Sequence, residues 1–389
     1  MSSPEPVLSQ YLHSKGARLG IPVAGTFELT PRCNFNCKMC YVHLTAEECM
    51  KRGRELTADE WLEIARIARD RGVVFLLLTG GEPLIRSDFK YLYTELSKMG
   101  FLISINTNGS LIDDDYFELF KKYPPMRFNI SLYGTSDDTY ESLCGNRSFT
   151  KVINNIRRLK DAGIAVKLNV LFGPSNVEDM EAIRRISEDL DVPFKPTTYL
   201  YPPIRVDGDE TGENKARFSP EKAAYYSMQC DKLRFAHDIF VKRTAAVCRG
   251  IRHVSEEDCE GVPSEGSSCR AGRSSFWMTW DGRMLPCGMM SEPESYPLRD
   301  GFDKAWEDTK AGTLRIRMPR ECVSCSYRHA CHVCAAATLA ETGRFDGKPQ
   351  YICDMVGEFV RLYKEEYAAF EKNGDLDKYA KEDGNENKV

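Results

Sequence analysis

The chain has 389 residues, and 53 lysines and arginines against 58 aspartates and glutamates give it a formal net charge of −5. This balance lacks the basic excess with which proteins bind nucleic acid or anionic lipid. The longest apolar run, residues 73–78, is far shorter than the ~18 residues that span a bilayer, and the first thirty residues carry no secretory signal pattern. We therefore expect a cytoplasmic protein that has neither nucleic acid nor a membrane as a partner.

The first 200 residues alternate between short apolar runs and amphipathic stretches. Thr57 and Glu60 form a capping-box pattern at the start of one such stretch, and Gly100 ends another. The patterns predict strands at 24–29, 73–78, 101–106, 127–132, 164–171 and 193–200, and helices at 57–72, 87–99, 113–123, 149–162 and 177–190.

Six strands separated by helices indicate a parallel sheet with right-handed crossovers. Six βα units are too few for a closed eightfold barrel, so the predicted fold is α/β, a partial (β/α)6 TIM-like barrel. Its functional residues are expected on the loops that follow the carboxyl ends of the strands.

Composition divides the chain into five segments. The predicted segments are an N-terminal piece (1–22), the partial barrel (23–203), a polar connector with one helix (204–240), a cysteine-rich domain (241–357) and a C-terminal helix with a charged tail (358–389).

Fifteen cysteines are unevenly distributed along the chain, which favours metal binding over disulfides in a cytosolic protein. Three of them, Cys33, Cys37 and Cys40, lie in one eight-residue window directly after the first predicted strand. Thiolates this close together suit zinc or an iron–sulfur cluster. A structural zinc ion would need a fourth ligand, for which His43 is the candidate. Three thiolates on a four-iron cluster would instead leave one iron without a protein ligand.

The chain resembles the radical S-adenosylmethionine (SAM) superfamily. Besides the cysteine triplet, the sequence Thr-Gly-Gly-Glu-Pro at 79–83 follows the second predicted strand, where that family has its Gly-Gly-Glu turn. The resemblance implies that a [4Fe-4S] cluster on the triplet binds SAM and reductively cleaves it to a 5′-deoxyadenosyl radical. This radical would abstract a hydrogen atom from the substrate. Gly80, Gly81 and Glu82 would lie at the SAM amino group.

Further positions match the family pattern. The resemblance implies SAM ribose and carboxylate contacts from Asn106, Asn108, Ser131 and Arg147, and each of these is equally compatible with a loop cap or a surface polar residue. Cys144 lies three residues before Arg147, and it is a candidate catalytic hydrogen donor or radical relay. The alternative for Cys144 is a small buried apolar residue.

Seven more cysteines lie between positions 269 and 353, in a pattern that resembles the SPASM extension of many radical SAM enzymes. That extension holds two auxiliary [4Fe-4S] clusters. By resemblance one would be held by Cys322, Cys325, Cys331 and Cys353, and the other by Cys269, Cys287 and Cys334. Cys259 is the first candidate for the eighth ligand and Cys248 the second, and an iron without a protein ligand is the third possibility. A pair of zinc ribbons is the alternative to the clusters.

These patterns lead to three hypotheses for function. In the first, the protein carries three [4Fe-4S] clusters and uses SAM for the oxidation or cross-linking of a peptide or protein, with a reducing electron donor such as a flavodoxin or ferredoxin. In the second, the same chemistry dehydrogenates a small molecule. In the third, the protein is a non-catalytic zinc-stabilised binding module.

Overall fold

The computed structural model describes residues 7–40, 44–202, 216–251, 266, 269–331 and 333–379. Two residues named as possible ligands, His43 and Cys259, lie outside the described residues. Within those ranges, no helix is both long enough and apolar enough to cross a membrane.

The described strands form one sheet, which confirms the predicted α/β class and parallel partial barrel. The strands are β1 (Ala24–Glu28), β2 (Phe75–Thr79), β3 (Leu102–Thr107), β4 (Arg127–Ser131), β5 (Val166–Leu171), β6 (Phe194–Thr197), β7 (Ser275–Met278) and β8 (Met284–Leu285). Their order is β6-β5-β4-β3-β2-β1-β7-β8. The strands from β1 to β6 pair in parallel with their neighbours and correspond to the six predicted strands.

Two strands of this sheet were not predicted. β7 comes from the cysteine-rich segment and pairs in parallel with β1, and β8 pairs with β7 in the antiparallel direction. The C-terminal segment therefore extends the sheet of the partial barrel.

Helices cover one face of the sheet and alternate with the strands. They are α1 (Val7–Leu19), α2 (Ala46–Arg52), α3 (Ala58–Asp70), α4 (Phe89–Lys98), α5 (Asp114–Lys122), α6 (Asp137–Cys144), α7 (Phe149–Asp161) and α8 (Met180–Asp189). The predicted capping box of Thr57 and Glu60 begins α3. The helices α1, α2 and α6 were not predicted.

The main core lies between the sheet and these helices. Phe27 of β1 packs on Trp61 of α3, and Phe128 of β4 packs on Phe120 of α5. Phe128 and Ile130 are fully buried in this core. Because side chains alternate along a strand, the other residues of β4 lie on the opposite, inner face of the sheet.

The C-terminal half is mostly helical. Its helices are α9 (Pro220–Arg234), α10 (His237–Arg249), α11 (Pro297–Asp300), α12 (Phe302–Arg315), α13 (Arg320–Val323), α14 (Ala335–Thr342), α15 (Gln350–Asn373) and α16 (Asp375–Tyr379). The long helix α15 runs without a break through the boundary predicted at 357/358. Ile352, Val356 and Val360 form one buried stripe along it, so that boundary does not separate two units.

Candidate active site

The loop that follows β1 brings the three predicted cysteines together. Cys33, Cys37 and Cys40 are half-buried. Burial raises the pKa of the Cys33 thiol to about 12, and the nearby Glu82, Cys37 and Cys40 raise it further. The described cysteines form no disulfide. Three soft sulfur donors in one half-buried loop are a donor set that fits an iron–sulfur cluster.

A partly exposed polar hub anchors the segment that enters this loop. The Glu55 carboxylate accepts hydrogen bonds from Thr30 Oγ1 at 2.6 Å and from Arg32 Nε at 2.7 Å. The buried Arg86 donates to Leu29 O at 2.8 Å and lies 3.4 Å from the same carboxylate. Sequence reasoning missed both Glu55 and Arg86, because no local motif shows that these two distant side chains will meet.

The cysteine loop also docks on the end of α6. Asn36 N donates to Cys144 O at 2.8 Å, and Lys38 N donates to Leu143 O at 3.0 Å. Cys144 is fully buried, and its side chain hydrogen-bonds with that of Cys37. The structure therefore places Cys144 against a predicted cluster ligand, which is a different position from one facing an open substrate cleft.

The Gly-Gly-Glu turn packs directly on the segment that enters the cysteine loop. Gly81 N donates to Thr30 O at 2.7 Å, and Glu82 N donates to Arg32 O at 2.9 Å. A Cβ on Gly80 would lie 2.4 Å from Thr30 O, and one on Gly81 would lie 2.4 Å from Arg32 O. The structural reason for these glycines is thus the close approach of two backbone segments.

Glu82 joins the turn after β2 to the turn after β3. Its carboxylate is fully buried and accepts hydrogen bonds from Leu84 N at 3.1 Å, Thr107 Oγ1 at 2.8 Å and Asn108 N at 2.8 Å. Burial raises the pKa of Glu82 to about 7, against the lowering effect of these donors. The contact of Glu82 with SAM stays a prediction.

Asn108 lies in a network that reaches the cysteine loop. Its Nδ2 donates to Asn34 Oδ1 at 2.9 Å and lies 3.9 Å from Cys33 Sγ. Its Oδ1 accepts from Ser110 N at 2.9 Å and from Ser110 Oγ at 2.7 Å. Sequence reasoning missed Asn34 and Ser110 as members of this network. The arrangement lets Asn108 hold the first cysteine in place.

The other residues expected at SAM occupy different environments. Asn106 Oδ1 accepts a hydrogen bond from Asn129 Nδ2 at 2.9 Å on the inner face of the sheet, and Ser131 is half-buried at the end of β4. Arg147 forms ion pairs of 2.6 Å with both Asp138 and Glu141, and its side chain is 54% exposed. A SAM contact from Arg147 would require these two ion pairs to break.

Four of the C-terminal cysteines lie together. Burial raises the pKa of the Cys322 thiol to about 11, and Cys331, Cys353 and Cys325 contribute to the rise. Burial likewise raises the pKa of Cys331 and of Cys353, with Cys325 acting on both. Cys353 lies on α15 and the other three lie between α12 and α14, so tertiary packing assembles this set. Among the described residues, no three His, Cys, Asp or Glu side chains surround a single metal-ion position.

The remaining C-terminal cysteines are more dispersed. Cys287 and Cys334 pack against one apolar group, whereas Cys269 is exposed. Cys248 lies in another apolar group, with its Sγ 3.6 Å from Tyr363 O. Cys248 is a candidate for the set that has only three cysteines, Cys269, Cys287 and Cys334, and this role stays a prediction.

Comparison with known proteins identifies the class. Residues 27–186 match the model of the radical SAM superfamily, and these residues include the cysteine loop and the Gly-Gly-Glu turn. The chain therefore contains a radical SAM domain, as the sequence motifs predict. This family implies one four-iron cluster and SAM as cofactors, and Cys33, Cys37 and Cys40 are the residues that would hold the cluster.

Two curated relatives differ in how much of the chain they match. The chain is 25% identical over 331 residues to an AdoMet-dependent heme synthase of Methanosarcina barkeri, which covers 82% of this chain and 93% of that protein. It is 35% identical over 166 residues to a probable GTP 3′,8-cyclase of Saccharolobus solfataricus, or 42% of this chain. The match spans about half of that relative, 52% of its length.

Solved structures share the fold over most of the chain. SuiB of Streptococcus suis bound to its precursor peptide SuiA has a TM-score of 0.63 and 18% identity, covering 90% of this chain and 82% of SuiB. The protein anSMEcpe with bound AdoMet and the Cp18Cys peptide has a TM-score of 0.61 and 15% identity, covering 90% and 99% of the two chains. At these identities the likeness shows the fold alone.

Proposed function

We propose that this protein is a radical SAM enzyme of the SPASM type that oxidises or cross-links a peptide or protein. The observation that carries the proposal is the meeting of the cysteine loop, the Gly-Gly-Glu turn and the Asn108 turn at the carboxyl edge of β1 to β3. Fold likeness to SuiB and anSMEcpe, whose structures hold peptides, supports a peptide substrate.

The chain's own residues would position the cofactors. When bound, the cluster on Cys33, Cys37 and Cys40 supplies the electron that splits SAM into methionine and the 5′-deoxyadenosyl radical, which abstracts hydrogen from substrate. The Glu55 hub fixes the entry to the cysteine loop, and Asn108 fixes Cys33 from the other side.

The C-terminal cysteines would hold two auxiliary clusters, which makes three in total. Cys322, Cys325, Cys331 and Cys353 would bind one, and Cys269, Cys287 and Cys334 the other. The eighth position would be filled by Cys259, by Cys248 or by no protein ligand. Cys334 precedes the first turn of α14, where the helix dipole favours a thiolate. The auxiliary clusters would accept the electron that substrate oxidation releases. A reducing donor such as a flavodoxin or ferredoxin, in the cytoplasm, would supply the first electron.

A small-molecule substrate is the second candidate function. It is favoured by the match to a heme synthase, which extends over most of both chains. The two candidate functions share the SAM chemistry and differ only in the substrate, which is a peptide or protein in the first and a small molecule in the second.

The test is SAM cleavage by protein reconstituted with iron and sulfide in the absence of oxygen. With a strong reductant, the wild type should form 5′-deoxyadenosine slowly even without substrate, and a variant with alanine at 33, 37 and 40 should form none. Cys49→Ala is the matched control, because Cys49 lies on α2 outside the loop and its Sγ is near Leu44 O. Cleavage by the triple variant, or zinc as the main bound metal, would contradict the proposal.

A further inference from the structure

Lys167 and three neighbouring cations come from four different elements, and the three that lie on strands face the inner side of the sheet. Lys167 of β5 interacts electrostatically with Lys195 of β6, Arg127 of β4 and Arg234 near the end of α9. We call these four residues the basic cluster. Burial lowers the pKa of Lys167 to about 8, and the three neighbouring cations lower it further.

The strand register places the basic cluster beside residues expected at SAM. Asn106 pairs with Asn129 across β3 and β4, and Asn129 pairs with Lys167 across β4 and β5. Ser131 likewise pairs with Asn169 across β4 and β5, and Asn169 pairs with Lys195 across β5 and β6. Because paired residues of parallel strands share a side of the sheet, the two lysines belong to the same inner layers as Asn106 and Ser131.

The alternation of buried and less buried residues along β5 and β6 agrees with this placement of the two lysines on the inner face. Val166, Leu168 and Val170 of β5 are buried against the helices, whereas Lys167 is half-buried on the other face. On β6, Phe194 packs against the core and Lys195 is exposed. The basic cluster thus lines the β4–β6 side of the partial barrel, and the cysteine loop lies at its β1 side.

The basic cluster is electrostatically unbalanced. Within the described ranges, no carboxylate forms an ion pair with any of its four members. Nearby cations on the outer face do pair: Arg158 with Asp114 at 2.6 Å, and Lys160 with Asp191 at 2.8 Å. Four like charges in a chain of net charge −5 repel one another and lower stability. An anion between them would offset this repulsion by attracting each of the four cations.

We propose that the basic cluster binds a carboxylate of the substrate beside SAM. The inference rests on the proposed function and narrows its substrate to one that carries negative charge. Lysine and arginine side chains bind a carboxylate through charge-assisted hydrogen bonds.

The test measures binding of acidic and neutral probes to reconstituted protein without reductant. One probe pair is a hexapeptide with three glutamates and the same peptide with three glutamines. The other pair is mesoporphyrin IX, which has two carboxylates, and its dimethyl ester. We expect the wild type to bind at least one acidic probe about tenfold more tightly than its neutral partner. We expect Lys167→Gln and Lys195→Gln to abolish that preference, and Lys167→Arg to restore it.

Three controls make the result decisive. Lys304→Gln on α12, which removes an exposed lysine paired with Asp308, should keep the wild-type preference. The melting temperature of Lys167→Gln should equal or exceed that of the wild type, because a like-charge repulsion is removed. The affinity for SAM, which has a carboxylate of its own, is measured in the same samples.

Two outcomes would overturn the inference. One is equal wild-type affinity for the acidic and neutral probes of both pairs. The other is a loss of SAM affinity in Lys167→Gln as large as the loss for the acidic probe, which would assign the cluster to the methionine carboxylate. Binding is measured without reductant, so SAM is not cleaved in this experiment. A failure of the binding prediction can therefore be distinguished from a failure of the proposed SAM cleavage.

Discussion

At the scale of single residues, buried polar side chains organise the site. Glu82, Asn108 and Cys144 each contact a segment distant in sequence, and each sits within hydrogen-bonding distance of the cysteine loop or of a turn beside it. We therefore expect that removing any one of these side chains displaces the cysteine loop or the turn beside it.

The raised pKa of Glu82 predicts a pH dependence of stability. The folded state takes up a proton at about pH 7, whereas an exposed glutamate does so near its ordinary value of 4.5. The stabilising effect of protonation is complete below pH 4.5 and is lost as the pH rises to 7. The loss corresponds to roughly 3 kcal/mol of unfolding free energy.

Denaturant unfolding of the apoprotein between pH 5 and 8 measures this effect. Glu82→Gln should be less stable than the wild type but should lack the slope, because the amide does not titrate. Glu63→Gln, an exposed glutamate on α3, should keep the slope. An unchanged slope in Glu82→Gln would show that another group titrates.

The contact between Cys144 and Cys37 predicts an effect on the cluster. With a cluster on Cys37, only Cys144 carries a proton, so its thiol donates to the Cys37 sulfur. Hydrogen bonds to cluster sulfurs raise the reduction potential. We expect Cys144→Ala to lower the potential of the SAM-binding cluster, measured by redox titration with electron paramagnetic resonance. Cys230→Ala, which removes a buried cysteine packed on Met180, should leave the potential unchanged.

At the scale of elements, the junction of β1 and β7 ties the cysteine-rich segment to the barrel. Trp277 Nε1 donates to Glu28 Oε2 at 2.8 Å, and Gly25 lies opposite Phe276 in the register. A Cβ on Gly25 would lie 2.8 Å from the Phe276 ring. At position 25 of β1, the junction therefore has no room for a side chain larger than the hydrogen of glycine.

Two glycine substitutions test this packing by opposite effects. Gly25→Ala should lower the free energy of unfolding by about 1–3 kcal/mol, because the ring of Phe276 must shift. Gly357→Ala should raise it by roughly 0.5–1 kcal/mol, because Gly357 lies inside α15 and its Cβ would come no closer than 4.0 Å to Tyr327. Chemical denaturation measures both, and a stable Gly25→Ala variant would contradict the close packing of β1 on β7.

At the scale of the whole molecule, the two cysteine regions are expected to have separable roles. The reconstituted wild type should contain about twelve irons, four for each cluster. A Cys322→Ala, Cys325→Ala double variant should lose about a third of the iron and still form 5′-deoxyadenosine, because the SAM site is in the barrel. It should give no modified product, since the electron from substrate has no acceptor. Normal product formation by this folded variant would refute the acceptor role.

The sequence by itself determined the elements and motifs that are local. The periodicity of the apolar residues predicts all six strands of the barrel, and the spacing of Cys33, Cys37 and Cys40 predicts one donor loop. Both signals lie within short windows, where the two-residue period of a strand or the spacing of a loop decides the outcome.

Only the tertiary structure decided which distant residues meet. It placed β7 beside β1, put Asn108 against Cys33 and Arg147 on a surface ion pair, and assembled the basic cluster from β4, β5, β6 and α9. None of these pairings has a local signature, because strand register and long-range packing depend on the free energy of the whole chain. For this reason the sequence alone predicted the chemistry of the site, whereas our inference about the charge of the substrate needed the fold.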